Sequence, residues 1–333
     1  MNHPLIHRIL ALTVTAASIT GAFFAFTTQH TVPPASSTPH LDAVSRRIID
    51  LPYCEGETLQ HYDLYLPPFE VSGPYPVVMY VHGGGWSLGD KQSNFTDYYG
   101  SALVEAGFAF ASINYRLAPK HRYPTQDNDI ACAIRTIVKR ADDYQVDTKK
   151  IVLFGESAGG LLVANYALSP DHPEIPVKAV VDFYGTTDLV YQLNRKKYAN
   201  HNAINYLGKN DMRLARSASP LYRPLYGTPP PFLFVHGTND TMVSIEQARA
   251  LYERLKPLQP QSKFITVTHA GHGFSAKSSP SNTAIRDEMI RYLVGILYGE
   301  EALPILDAPA FLLPEFATLT EPSSEPWLTQ VAR

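Results

Sequence analysis

The chain has 333 residues, a formal net charge of −3 and 45% hydrophobic residues, which suffices for one large domain or two modest ones with a full core. Charged residues are scattered rather than massed, so no nucleic-acid partner is expected. Two cysteines, Cys54 and Cys132, allow at most one disulfide. Neither stands in a CxxC or Cys/His metal spacing, and Cys132 falls on the expected buried side of a helix. Both are read as structural thiols, and no metal is expected.

From Ile9 to Phe26 the sequence carries no charge, after a short head that holds Arg8. Residues 1–30 read as a signal peptide or an N-terminal membrane anchor, with cleavage preferred. Export, secreted or periplasmic, is the expected localisation, and that anchor is the one route to a membrane. A Pro/Ser linker follows over 31–43, then a domain over 44–300.

Within the domain, Ser45 to Asp50 and Leu59 to Leu66 alternate apolar and polar residues like paired edge strands. The pattern then changes to strands alternating with helices. Tyr75 to Val81 reads as a buried strand, Tyr98 to Glu105 as a helix and Phe108 to Asn114 as a strand. Ile130, Ile134, Ile137, Val138 and Ala141 share one helical face. Ile151 to Phe154 is a strand running into a turn and a helix. Val177 to Tyr184 and Pro231 to His236 are strands, Ser244 to Lys256 a helix, Lys263 to Thr268 the last strand and Thr283 to Tyr298 the closing helix. This order predicts an α/β fold, a mainly parallel central sheet with helices on both faces. Residues 185–228, rich in tyrosine and weak in helical periodicity, read as a short cap-like insertion. The tail, 301–333, carries several prolines and is expected to be loosely packed.

The chemistry gathers at strand ends. Gly155-Glu156-Ser157-Ala158-Gly159 puts Ser157 on a sharp strand-to-helix turn, where a hydroxyl stands clear of the sheet as a nucleophile. A serine needs a base to take its proton and an acid to hold that base. His236-Gly237-Thr238-Asn239-Asp240 follows one strand, and His269-Ala270-Gly271-His272 follows the last. Asp240 is the expected acid and His272 the expected base, preferred over His269 because glycines flank it in a loop. Asp182 and Asp188 are rival acids with a more ordinary structural reading. His82-Gly83-Gly84-Gly85-Trp86 follows a buried strand, and the N–H groups of Gly83, Gly84 and Ala158 are the expected oxyanion hole. Trp86 beside that loop is the expected substrate-binding residue, with Tyr191, Tyr198, Tyr206, Tyr222 and Tyr226 of the insertion as weaker pocket candidates.

Taken together with Gly89-Asp90-Lys91 and Asn114-Tyr115-Arg116-Leu117-Ala118-Pro119, these motifs resemble the α/β-hydrolases of the hormone-sensitive-lipase-like and carboxylesterase/arylformamidase-like branch, over about Leu59 to Tyr298. The resemblance implies a serine esterase without metal or cofactor, acting through an acyl-enzyme on Ser157, with a small-molecule ester as its partner. It also implies that Tyr115 and Arg116 brace the oxyanion loop and that His82 orients it. Two alternatives stand beside this reading: an arylformamidase-like amidase, and a catalytically silent binding protein on the same fold. Neither the physiological substrate nor the oligomeric state follows from the sequence.

Overall fold

The computed structural model describes residues 46–299 apart from 55–56, 70, 171–174, 196–197 and 275–279. The expected leader, linker and tail lie outside the described residues. The strands are β1 (Arg46–Pro52), β2 (His61–Leu66), β3 (Tyr75–Val81), β4 (Ala109–Ile113), β5 (Val146–Glu156), β6 (Val177–Phe183), β7 (Phe232–Gly237) and β8 (Lys263–Val267). They form one sheet in the order β1-β2-β4-β3-β5-β6-β7-β8. The pairs β1/β2 and β2/β4 are antiparallel; every later pair is parallel.

Local sequence explains the difference. The parallel strands are covered on both faces and read as apolar runs, as in β3, buried at all seven positions, whereas β1 is half exposed and keeps polar residues between its apolar ones. One face is packed by Phe95, Leu103, Ile285, Met289 and Leu293, from α1 (Asn94–Glu105) and α9 (Pro280–Tyr298). The other is packed by Ile130, Ile134, Leu161, Val163 and Leu251, from α2 (Thr125–Lys139), α4 (Ala158–Ala167) and α8 (Ile245–Leu255). A short turn of helix, α3 (Ala141–Tyr144), joins α2 to β5. Among the described residues, no helix is long and apolar enough to cross a membrane.

Three expectations change. Helix α1 begins at Asn94, not Tyr98, because Ser93 accepts the Thr96 N–H and caps it. The insertion holds more helix than its periodicity suggested: α5 (Leu189–Asn194), α6 (Tyr198–Leu207) and α7 (Met212–Ser217). Two of these short helices start at aspartates: the Asp188 side chain accepts the Tyr191 N–H, and that of Asp211 accepts the Arg213 and Leu214 N–H groups. Such caps start a helix too short to show a stripe. The cysteines are not separate thiols: Cys54 and Cys132 form a disulfide, with Cα atoms 5.9 Å apart and 78 residues between them in sequence. Cys132 lies at the half-buried flank of α2, where it meets the turn after β1. Sequence spacing carries no trace of that approach.

Candidate active site

Strand β5 runs between β3 and β6 and delivers Ser157 one residue past its end. Ser157 has φ 51° and ψ −115°, a conformation that costs a non-glycine residue about 1–3 kcal/mol. Its N–H is held by the Phe183 carbonyl at 2.9 Å. The flanking glycines are dictated by close approach: a Cβ on Gly155 would strike the Gly159 carbonyl, and one on Gly159 would strike that of Val81. Leu161, Leu162 and Val163 just beyond are fully buried, each contributing about 1.5–3 kcal/mol that offsets the strain of the turn.

The loop after β8 brings His272 Nε2 to 2.9 Å from Ser157 Oγ, and His272 Nδ1 lies 2.7 Å from Asp240 Oδ2. The carboxylate accepts the Nδ1 hydrogen, which leaves the Nε2 lone pair facing the serine hydroxyl. Asp240 lies in the loop after β7 and has a fully buried side chain. Its Oδ1 accepts the N–H groups of Met242 and Val243, each at 2.8 Å. Burial pushes this carboxyl up, but hydrogen bonds from His236, His272 and the Val243 N–H outweigh it and hold Asp240 well below the ordinary carboxylate range. From the insertion, Arg195 donates to the carbonyls of Thr241 and Met242 at 2.7 and 3.1 Å, pinning the same loop.

The loop after β3 is positioned from behind. The His82 ring is buried and stacks on Tyr115 at 4.4 Å, and the Tyr115 hydroxyl donates to the His82 carbonyl at 3.1 Å. Burial depresses the His82 imidazole, against hydrogen bonding to Gly83. Arg116 does not touch this loop. Its guanidinium grips Asp129 of α2, at 2.6 Å for the shortest contact, and Glu57 at 3.2 Å, so it ties α2 to the β1–β2 turn instead. The Gly83 N–H is directed at Glu156 Oε1, 3.2 Å away. Gly84 and Gly85 N–H meet no acceptor among the described residues, and Ala158, first in α4, has no intrahelical acceptor for its own.

Glu156, the residue before the serine in that motif, proves to be a junction. Beyond Gly83 it accepts the Tyr80 hydroxyl at 3.3 Å and the Tyr184 hydroxyl at 2.7 Å. Tyr184 in turn meets the His272 ring edge-on at 4.9 Å. Nothing in the G-x-S-x-G pattern marks the residue before the serine for this task.

Trp86 is buried, donates its indole N–H to the Ala158 carbonyl at 3.1 Å and stacks on Tyr206 at 4.6 Å. With Gly85, Ser157 and Ala158 it lines a cavity of about 30 Å³ to which Gln192 and Asn202 of the insertion also contribute walls. Of the candidate tyrosines, Tyr206 supports Trp86 rather than lining that cavity, and Tyr191 and Tyr226 are exposed. Tyr222 donates to Asp188 at 2.9 Å, and the Tyr198 side chain lies outside the described residues. The rival acids are structural. Asp182 is buried beside α4 and accepts the Gly185 N–H at 2.8 Å, and Asp188 caps α5. His269 ends outside the Ser157 chain of contacts, its N–H bound to Thr238 Oγ1 at 2.8 Å.

A serine on a strained elbow, hydrogen-bonded through a histidine to a buried aspartate at the carboxyl edge of a mainly parallel sheet, defines an α/β-hydrolase of the esterase kind. The family model BD-FAE matches residues 62–255, and the chain belongs to that family. It is 29% identical to the probable carboxylic ester hydrolase LipM of Mycobacterium tuberculosis, over 78% of this chain and 64% of that one. It is 32% identical to esterase LipC of the same organism, over 64% of this chain and 57% of that one. The chain thus spans less than two thirds of the length of these relatives. Among solved structures, a truncated carbohydrate esterase from gut microbiota shares the fold with a TM-score of 0.66 and 24% identity, covering 78% of this chain and 98% of that one.

Proposed function

We propose that this chain is a carboxylesterase that hydrolyses small esters through an acyl-enzyme on Ser157. The observation that carries the proposal is the unbroken contact chain of 2.9 and 2.7 Å from Ser157 through His272 to Asp240. In this reading His272 takes the serine proton as Ser157 attacks the ester carbonyl, and Asp240 holds the imidazole in the tautomer required. The oxyanion is received by the N–H groups of Gly84, Gly85 and Ala158. Gly85 replaces Gly83 in the set expected from sequence, since Glu156 engages the Gly83 N–H. His272 then protonates the leaving alcohol and activates the water that releases the acid.

The cavity of about 30 Å³ beside Ser157 has room for roughly one or two water-sized groups, which favours acetyl over long acyl chains. Export is supported by the Cys54–Cys132 disulfide, a bond that persists in oxidising compartments; mass spectrometry of the natively produced protein would show both its terminus and this bridge.

The test is hydrolysis of p-nitrophenyl acetate by Ser157→Ala, with a loss of about 10⁵-fold or more in kcat expected. A fluorophosphonate should label the wild type and not the variant. Retained turnover in the variant would remove Ser157 from its role. An aryl formamide cleaved faster than any acetyl ester would turn the reading toward an amidase, and a folded wild type that takes no label would turn it toward a silent binding protein.

A further inference from the structure

His236, the penultimate residue of β7, is fully buried four residues before Asp240. Its Nε2 lies 3.2 Å from Asp240 Oδ2 and 3.0 Å from the Val243 carbonyl. Both neighbours are acceptors, so Nε2 carries the hydrogen and shares it between them. Nδ1 is buried and has no partner, which suits a lone pair better than an orphaned N–H.

We infer that His236 is a positioning residue for ester hydrolysis, a second imidazole that holds Asp240 so that its Oδ2 faces His272. The inference rests on the proposed roles of Ser157, His272 and Asp240. Oδ2 then receives two imidazole N–H groups, from β7 and from the loop after β8, while Oδ1 receives the N–H groups of Met242 and Val243. Rotation of the carboxyl about its Cβ–Cγ bond would break all four contacts at once. Val243 also closes a ring: its carbonyl takes the His236 hydrogen and its N–H binds Asp240. The acid loop is therefore folded around the imidazole. Without His236, Oδ2 keeps the His272 contact alone, in a site too dry for water to substitute. The carboxylate can then swing, and the base loses the fixed orientation on which proton transfer depends.

A buried histidine could equally serve packing alone, so the test compares side chains that differ in where they place a donor. In His236→Gln the amide nitrogen reaches the place of Nε2; in His236→Asn it reaches only that of Nδ1, and His236→Leu offers no donor. With p-nitrophenyl acetate, His236→Leu and His236→Asn should lower kcat by about tenfold or more and leave KM within about twofold, while His236→Gln recovers most of kcat. Thermal melts verify folding, and if His236→Leu does not fold, the Asn and Gln pair decides. Equal kcat in the Asn and Gln variants, whether high or low, would overturn the positioning role. Ser157→Ala is assayed in parallel. If it is inactive while the His236 series fails, only this inference falls, and if it is active the reading beneath falls as well.

Discussion

Across the middle of the sheet, Val77 to Val81 lie in parallel register against Ile151 to Gly155, and what packs on them is apolar. The insertion meets the body differently. The Tyr206 hydroxyl donates to Asp127 at 2.6 Å, Asn165 of α4 donates to the same carboxylate at 2.9 Å, and Arg223 donates to the Asn165 oxygen at 2.8 Å. Asp127 is thus largely covered, its side chain 16% exposed, and loss of solvent raises its pKa despite the Tyr206 hydroxyl and the Arg223 charge. Leu189 N–H and Ser219 Oγ, and Thr187 with Gln247, add further polar links. The body is held by area removed from water, which tolerates small shifts; the insertion adds to its own buried apolar residues, Leu189, Leu193, Ala203 and Leu207 among them, a set of directional bonds, which do not.

Four perturbations would break or sharpen this contrast. The largest concerns the body's single covalent tie. Replacing both Cys54 and Cys132 by serine removes a bridge spanning 78 residues, and loop-closure entropy puts the loss at about 4 kcal/mol. Denaturant titration should show one cooperative transition at lower midpoint; an unchanged midpoint would mean the bridge adds nothing that the sheet lacks.

Next comes a pH effect inside the body. Burial pushes the Asp182 carboxyl up to about 7, against an ordinary value of 3.8, and the Gly185 N–H recovers little of that. Between those values the folded chain keeps a proton that the unfolded chain has released, so stability falls as pH rises through that window and levels off above it. The full span is at most about 4 kcal/mol. Asp182→Asn should flatten the fall in melting temperature from pH 5 to pH 8, and an equal fall in both proteins would refute the assignment.

Tyr206→Phe tests the insertion. It leaves Asp127 short of its shortest hydrogen bond, at a cost of about 1–3 kcal/mol. Amide exchange should quicken over residues 189–222 while the strands keep their protection; uniform quickening would mean that insertion and sheet open as one. The smallest effect is on selectivity. Asn202→Ala trims the cavity wall facing Gly85 and should shift the butyrate-to-acetate ratio of kcat/KM upward by about tenfold, or about 1.4 kcal/mol. An unchanged ratio would show that the acyl group lies elsewhere.

Legibility in the sequence follows the same division. The strands β3, β4, β6, β7 and β8 are recovered within a residue because burial on both faces writes an apolar run, whereas β5 begins at Val146 rather than Ile151, Asp147 to Lys150 being polar and partly exposed; the Ser157 elbow is recovered because its glycines answer steric demands that any chain would share. Asp240 and His272 could be selected because parallel strands bring their following loops to one edge. By contrast, α5 to α7 are short, capped by aspartates and tied by contacts far apart in sequence, so periodicity is silent about them. Tyr206 stacking on Trp86, Arg195 on the acid loop and the Cys54–Cys132 pair are likewise long-range facts. The exchange of Gly83 for Gly85 among the proposed oxyanion donors has a similar cause: the pattern shows three glycines, but only the fold shows that Glu156 has claimed the first.

That claim by Glu156 has a consequence for how the protein should wear out. One carboxylate joins the turn at Ser157 to the Gly83 loop, and through Tyr184 it reaches the ring edge of His272. The groups proposed to react are therefore tied to one hub through Gly83, Tyr184 and the turn at Ser157. Heating should not produce a folded but sluggish form whose parts have loosened separately. Each molecule should work at full rate until its hub fails, and then stop.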